Sequence, residues 1–515
     1  MKKSAVLLLL VMALAMPVAV TASGAKQVAV AGPVKMTMFY SDNATLPFKA
    51  DWLTVVEAQK RVKAQVQWEI IPIADYKTKV SLALNSGANA PDVILYQSTM
   101  AENAALALNG AIVPISDYSS FTPYHNAMVT KYGLQSDVDL LKLKDGKRYF
   151  MPALFDVPFY DGGLILREDL LTKYGLKAPK TFDDLYTVLK TFKQNAPDSF
   201  PLTILAGPRV LYRMTMPSWG ISLGKNGASG TNTLSWDYTA KRFFAGAISE
   251  QYKSYITGLN RLYREGLLDP EMKDPISGDK WAQKLATGKA MASYAYYDQI
   301  GGVAKASTIP GFKLQMYPAL AGPAGAHHQP KSKTGSGPLF PANTAKRADF
   351  ERVVRAVDEM FFAPENALMW CLGIEGVTYT VKDGRTVFSP DIVNAPEGIY
   401  KYMQIKYGCG SDVTQMVWVN SREMTKYDAN YARINAEVEK MGGVIQAIPP
   451  TPKFDDKKAE EAATLQTPLA DAFERWNDAF LTGAKSIEGD WAAYVQEMKN
   501  LGIEKFVAIY NENLK

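Results

Sequence analysis

Four short groups in this chain pair an aromatic ring with oxygen-bearing or amide side chains: Tyr40-Ser41-Asp42, Tyr96-Gln97-Ser98, Asp156 to Tyr160, and Tyr296-Tyr297-Asp298. Each comes at or near the end of a predicted extended segment. Rings of this kind stack on the apolar faces of sugars, while carboxylates and amides take the hydroxyls. One such group alone is more often packing, but four predicted at the same sheet edge point to a binding cleft. Asp42, Asp156 and Asp298 are the expected hydroxyl acceptors, with Ser41 and Gln97 beside them.

Other residues carry two readings. Arg213 is either a surface arginine or a partner for a uronic acid. Glu375 and Tyr379 lie in Gly373-Ile374-Glu375-Gly376-Val377-Thr378-Tyr379, where the glycines serve a turn or open a site. Trp219, Trp370 and Trp418 fall outside clear helical faces, open to either core or cleft.

Covalent and metal chemistry find little support. The chain has no G-x-S-x-G, no phosphate-binding glycine loop, no H-E-x-x-H and no C-x-x-C. Its 3 histidines, His125, His327 and His328, are too few for a histidine metal site, and His327-His328 read as a solvated loop. The 52 acidic residues show no spacing that singles out a hydrolytic pair.

The elements that must position these groups follow from periodicity. Val34 to Tyr40 alternates as a strand, 49–64 reads as a helix, Val66 to Ile70 as a strand, Tyr76 to Asn85 as a helix, and Ala90 to Tyr96 as a buried strand. This β-α-β-α-β order implies a parallel sheet with helices on both faces. Tyr149 to Leu166 reads as extended chain crossing to a second compact unit, stiffened by Pro152 and Pro158. There Thr181 and Asp184 form a capping-box pattern before the helix Phe182 to Phe192, and Pro201 to Leu205 is a short strand. Ala290 to Ala295 is strand-like and looks like a return to the first unit. The remainder is largely helical, and the aromatics of Pro468 to Leu481 and Asp490 to Leu501 are spaced for a core.

Residues 1–25 have the charged start, apolar core and small-residue exit of a secretory leader. No cysteine lies near the exit, so the expectation is a periplasmic protein without a lipid anchor. The remaining chain, about 490 residues, is too long for one core and predicts two or three domains. A formal charge of +5, part of it in the leader, argues against a nucleic-acid partner. Cys371 and Cys409 are the only cysteines, either paired or two buried thiols.

Several stretches resemble the extracellular solute-binding proteins of bacterial ABC importers, in the large sugar-binding branch that includes alginate-oligosaccharide binders. They are Gly146 to Pro152, Leu262 to Glu271, Thr287 to Ala292, Gly373 to Thr380, and Asp490 to Tyr494 followed by Leu501-Gly502-Ile503. The resemblance implies an α/β, two-lobed periplasmic-binding-protein fold. Each lobe would be a sheet flanked by helices, with the ligand cleft between lobes and a helical C-terminal region. The expected division is 26–153 plus 294–340 for the first lobe and 154–293 plus 341–515 for the second. By analogy Tyr160, Trp219, Tyr296 and Tyr297 fall near the cleft, with Trp418 beside them. Alginate-binding relatives carry a calcium loop after the helix matching 182–192. Here Lys193 to Phe200 is too short and too poor in oxygen ligands, so no calcium or other cofactor is expected and alginate is disfavoured. The implied protein is a monomeric receptor that closes on an oligosaccharide and hands it to an inner-membrane permease. The alternatives are a secreted polysaccharide-active enzyme, a lyase or hydrolase, and a peptide-binding receptor.

Overall fold

The computed structural model describes residues 32–42, 47–86, 90–96, 100–155, 160–205, 207–224, 231–273, 278–328, 333–410 and 429–514. The expected leader and the candidates Gln97, Asp156 and Trp418 lie outside them. No helix among the described residues is long and apolar enough to cross a membrane.

The first lobe begins with β1 (Val34–Asp42), parallel to both β2 (Ala64–Pro72) and β3 (Val93–Tyr96). Helices Leu53–Arg61 and Ile73–Ser86 make the crossovers, as the alternation predicted. Successive β1 side chains point to opposite faces. Met36, Met38 and Tyr40 enter one core together with Val353, Val357 and Phe361 of the helix Phe350–Phe362. Phe39 enters the other with Tyr76 and Val80. A strand buried on both faces belongs inside its sheet, and β1 lies between β2 and β3.

The second lobe is built on β4 (Gly162–Arg167) and β5 (Leu202–Ile204), with a hairpin of β6 (Ser235–Asp237) and β7 (Arg242–Phe244), then β8 (Ala292–Tyr296) and β9 (Leu314–Tyr317). The sheet order is β5-β8-β4-β9, with β4 antiparallel to both neighbours. Helix Phe182–Asn195 starts with the predicted capping box: Asp184 N donates to Thr181 Oγ1 at 3.1 Å and Thr181 N to Asp184 Oδ2 at 2.9 Å. Leu469, Phe473, Phe480, Trp491, Tyr494 and Met498 of the C-terminal helices are buried in this lobe's core. The first of these helices runs from Asp456 to Thr482 with Pro468 inside it, rather than beginning at the proline.

A short hairpin, β10 (Ala321–Gly322) and β11 (Gly325–Ala326), precedes β12 (Gly337–Leu339), which closes the first sheet antiparallel to β3. The expected division assigned 294–340 to the first lobe and 341–515 to the second. Instead, β8 and β9 are hydrogen-bonded to β4, and helices Phe350–Phe362 and Pro364–Leu372 share a core with β1. Strand-like periodicity identifies a strand but not its partner, and both pairings are long-range.

Among the described residues, two of the segments that pass between the lobes run antiparallel. Met151 N donates to Pro338 O at 2.9 Å, Ala153 N to Ser336 O at 3.1 Å, Phe155 N to Lys333 O at 2.8 Å, and Gly335 N to Ala153 O at 2.8 Å. Met151 and Leu154 belong to the first lobe's core, and Tyr160 and Ile165 to a core of the second. The lobes also touch at helix Ile300–Ala306. Lys305 Nζ donates to Val393 O at 2.9 Å and to Ala395 O, and a Cβ at Gly398 would stand 3.1 Å from Gly302 N. Residues 392–409 are tied to the first lobe through Trp52 Nε1 to Ile405 O at 2.9 Å and Thr54 Oγ1 to Tyr407 O at 2.8 Å.

Cys371 and Cys409 are free thiols. Burial pushes the Cys371 thiol up to about 12 and also raises Cys409, with the nearby Cys371 adding to the shift.

The crossing pair leaves no room for a side chain at Gly337, where a Cβ would lie 1.7 Å from the carbonyl oxygen of Met151. A backbone oxygen cannot rotate away. Gly337→Ala is therefore expected to cost at least about 3 kcal/mol in urea unfolding. Gly258→Ala, inside helix Glu250–Arg264 where the new Cβ meets nothing within 4 Å, is expected to be neutral or stabilising.

Candidate ligand-binding cleft

The parallel strands β1 and β3 end at one edge of the first sheet, the edge at which open α/β sheets hold ligands. Tyr96 at the end of β3 pairs with Gly337, and Gly337 sits against Met151 of the crossing segment. That segment leads to Tyr160, Asp161 and Gly162, and Gly162 pairs with Tyr296 at the end of β8. The strand ends of the first lobe and this edge of the second therefore adjoin the same crossing.

On the second lobe, Asp161, Arg213, Tyr296 and Tyr297 come together. Tyr297 N donates to Asp161 O at 2.7 Å. The guanidinium of Arg213, on helix Pro208–Thr215, lies 5.5 Å from the centre of the Tyr296 ring. Gly162 makes this approach feasible, since a Cβ there would stand 2.4 Å from Met214 Cε and 3.1 Å from Tyr296 Cδ1. Tyr296 and Tyr297 are half-buried, each with one side against a core. Burial lowers the pKa of Arg213; Asp161 opposes the shift and Arg209 adds to it. Asp298 follows in the helical turn Tyr297–Gln299.

On the first lobe Ser41 and Asp42 are partly exposed at the end of β1, and Asp42 Oδ1 accepts from Phe48 N at 2.8 Å, closing the loop that follows. Beyond that loop lies a hollow of about 350 Å³ lined by Lys49, Asp51, Glu397, Tyr402 and Lys406. Residues 397–406 carry no motif that would have flagged them. A hollow of about 460 Å³, lined by Asn85, Asn109, Asn343 and Lys346 among others, is reached from the opposite end of β3 and does not adjoin the aromatic groups.

Three expectations need correction. Tyr160 is 1% exposed and offers no ring face to a ligand. Its hydroxyl donates to Tyr317 O at 3.1 Å, its ring meets His328 edge-on at 4.8 Å, and a Cβ on Gly163 would stand 2.1 Å from the hydroxyl oxygen. It is part of the hinge core. His327-His328 is not a solvated loop: His328 is buried against Tyr160, and His328 N donates to Val444 O at 2.7 Å. Glu375 is exposed on the turn before the hairpin of β13 (Tyr379–Lys382) and β14 (Arg385–Phe388), while Tyr379 is buried beneath it. The glycines there serve the turn. Gly373 has φ +81°, and a Cβ on it would stand 2.3 Å from Thr378 Oγ1. Trp370 is fully buried. Trp219 is half-buried, 4.4 Å from Phe182 and 5.1 Å from Tyr255 between ring centres.

Two sheets joined by paired crossing segments, with polar and aromatic groups at the adjoining edges, define a two-lobed binding protein. Residues 45–367 match the family of bacterial extracellular solute-binding proteins, and the chain belongs to that family. It is 25% identical over 350 residues to lipoprotein LipO of Bacillus subtilis, covering 65% of each chain. It is 24% identical over 336 residues to the polygalacturonan/rhamnogalacturonan-binding protein YtcQ of the same organism, covering 64% of each. The chain thus matches slightly less than two thirds of the length of these curated relatives. Among solved structures, alginate-binding protein AlgQ2, determined without calcium ion, superposes with a TM-score of 0.72 at 19% identity. That match covers 94% of this chain and 98% of the other, and it establishes the two-lobed periplasmic-binding-protein fold.

If the Trp219 ring is part of the packing between Phe182 and Tyr255, Trp219→Ala should lower stability by about 2–3 kcal/mol without any ligand present. Urea unfolding reads this directly. An unchanged midpoint would instead leave the ring to the ligand.

Proposed function

We propose that this protein is the substrate-binding receptor of an ABC importer, capturing an oligosaccharide in the periplasm and delivering it to an inner-membrane permease. The observation that carries this reading is the adjoining of two polar-aromatic strand-end groups at a crossing that two antiparallel segments form. A ligand that contacts both lobes makes the closed arrangement more populated, and the closed shape is what a permease would read. Family membership supports a solute-binding role. Two similar proteins, one binding polygalacturonan and rhamnogalacturonan and the other alginate, support a carbohydrate as the solute. Tyr296 and Tyr297 present the ring surface, Ser41 and Asp42 the facing oxygens. Tyr96, Gln97, Asp156, Asp298 and Trp418 complete the proposed lining.

Thermal unfolding of the protein against neutral and uronic oligosaccharides tests the reading. A ligand at about 100 times its Kd stabilises by about 2.7 kcal/mol, enough to raise the midpoint by a few degrees. The expected result is a shift with one sugar class and no new reducing ends after prolonged incubation. Product formation would make the protein an enzyme, and a shift with peptides alone would replace the carbohydrate.

A further inference from the structure

We propose that the solute is acidic, and that Arg213 binds its carboxylate and sets the specificity of the cleft; this rests on the receptor reading above. Most arginines in the structure that are withdrawn from water have acceptors. Arg167 donates to Asp169 at 2.7 Å, Arg347 to Asp349 at 2.9 Å, and Arg148 to Phe150 O. The Nε of Arg433 lacks a partner, yet its other nitrogens reach Glu437 Oε1 at 2.6 Å and Met316 O at 3.1 Å. Arg213 differs. Its Nε is buried with no hydrogen-bond partner, and among the described residues its guanidinium has the Tyr296 ring as its contact and Asp161 as its opposing charge.

A buried N–H without an acceptor is costly, and more so on a cation. Arg209 stands one helical turn earlier and repels the Arg213 charge, which Asp161 opposes. The guanidinium lies 5.5 Å from the centre of the Tyr296 ring, at the edge where β8 ends. The planar guanidinium fork matches a carboxylate, which accepts two parallel N–H bonds. A neutral sugar supplies hydroxyls but no charge to pair with the Arg213 guanidinium.

Calorimetric titration of the full protein separates the outcomes. The probes are trimers of galacturonate, mannuronate, guluronate and glucuronate, each beside its methyl ester, with maltotriose and kestose as neutral sugars. The expected result is that at least one free acid binds and its ester binds about 10- to 100-fold more weakly. Arg213→Met should weaken the acid by a similar factor and leave the ester's affinity unchanged. The variant should melt at or above the wild-type temperature, because an unpaired buried cation has been removed, so a folding defect would not be mistaken for a binding one. Arg213→Lys, which keeps the charge but loses the fork, should recover only part of the affinity. Tight binding of a neutral trimer, unaffected by Arg213→Met, would overturn the acidic assignment and leave the receptor standing. No binding of any carbohydrate would overturn both.

Discussion

The close pairing of two of the segments that cross between the lobes is the constraint on which the rest depends. Met151, Ala153 and Phe155 donate in succession to Pro338, Ser336 and Lys333, and Gly337 sits so close to the Met151 carbonyl that no side chain fits. One segment carries the chain from the first core to the second, and the other brings it back to β12. Because β12 is bonded to β3, the end of β3 is fixed beside the crossing, as is the start of β4 on the other side. Two sheets of different topology, one mostly parallel and one mixed, are thereby held edge toward edge.

Small residues and buried rings around the crossing divide the aromatic groups into two kinds. Gly163 admits Tyr160 beneath β4, where the ring meets His328 and the hydroxyl bonds the backbone of β9. Gly162 admits Tyr296 and Met214 at the edge, and leaves Tyr296 half-exposed under a guanidinium. Neighbouring glycines thus direct one tyrosine into the hinge core and leave another half-exposed at the end of β8. Lys305 adds a contact between lobes away from the crossing, donating to two carbonyls of the 393–395 segment. A lobe pair that touches at two places can close as a rigid-body movement about the first and engage at the second.

Much of the first lobe was legible because its strands alternate and its crossovers are local. Met36, Met38 and Tyr40 against Phe39 already announce two buried faces, and Thr181 with Asp184 announces a helix start through a local hydrogen-bond exchange. What was not legible depended on long-range partners. Ala290 to Ala295 reads as a strand whichever sheet it joins, and only the register with β4 places it in the second lobe. Tyr160 and Tyr296 are alike in sequence context, each near a strand end with polar neighbours. Their difference comes from which glycine lies across from each ring. Arg213 stood out by residue type, but its missing acceptor and the ring beneath it are properties of the folded chain.

Small-angle X-ray scattering tests the account most directly, comparing the free protein with the protein saturated by the oligosaccharide that stabilises it. The account predicts that the ligand reduces the radius of gyration and brings the profile to that of the structure described here, in which helix Ile300–Ala306 touches the 393–398 segment. Identical profiles with and without a bound ligand would contradict closure about the crossing pair, and with it the proposed way in which a permease would distinguish a loaded protein from an empty one.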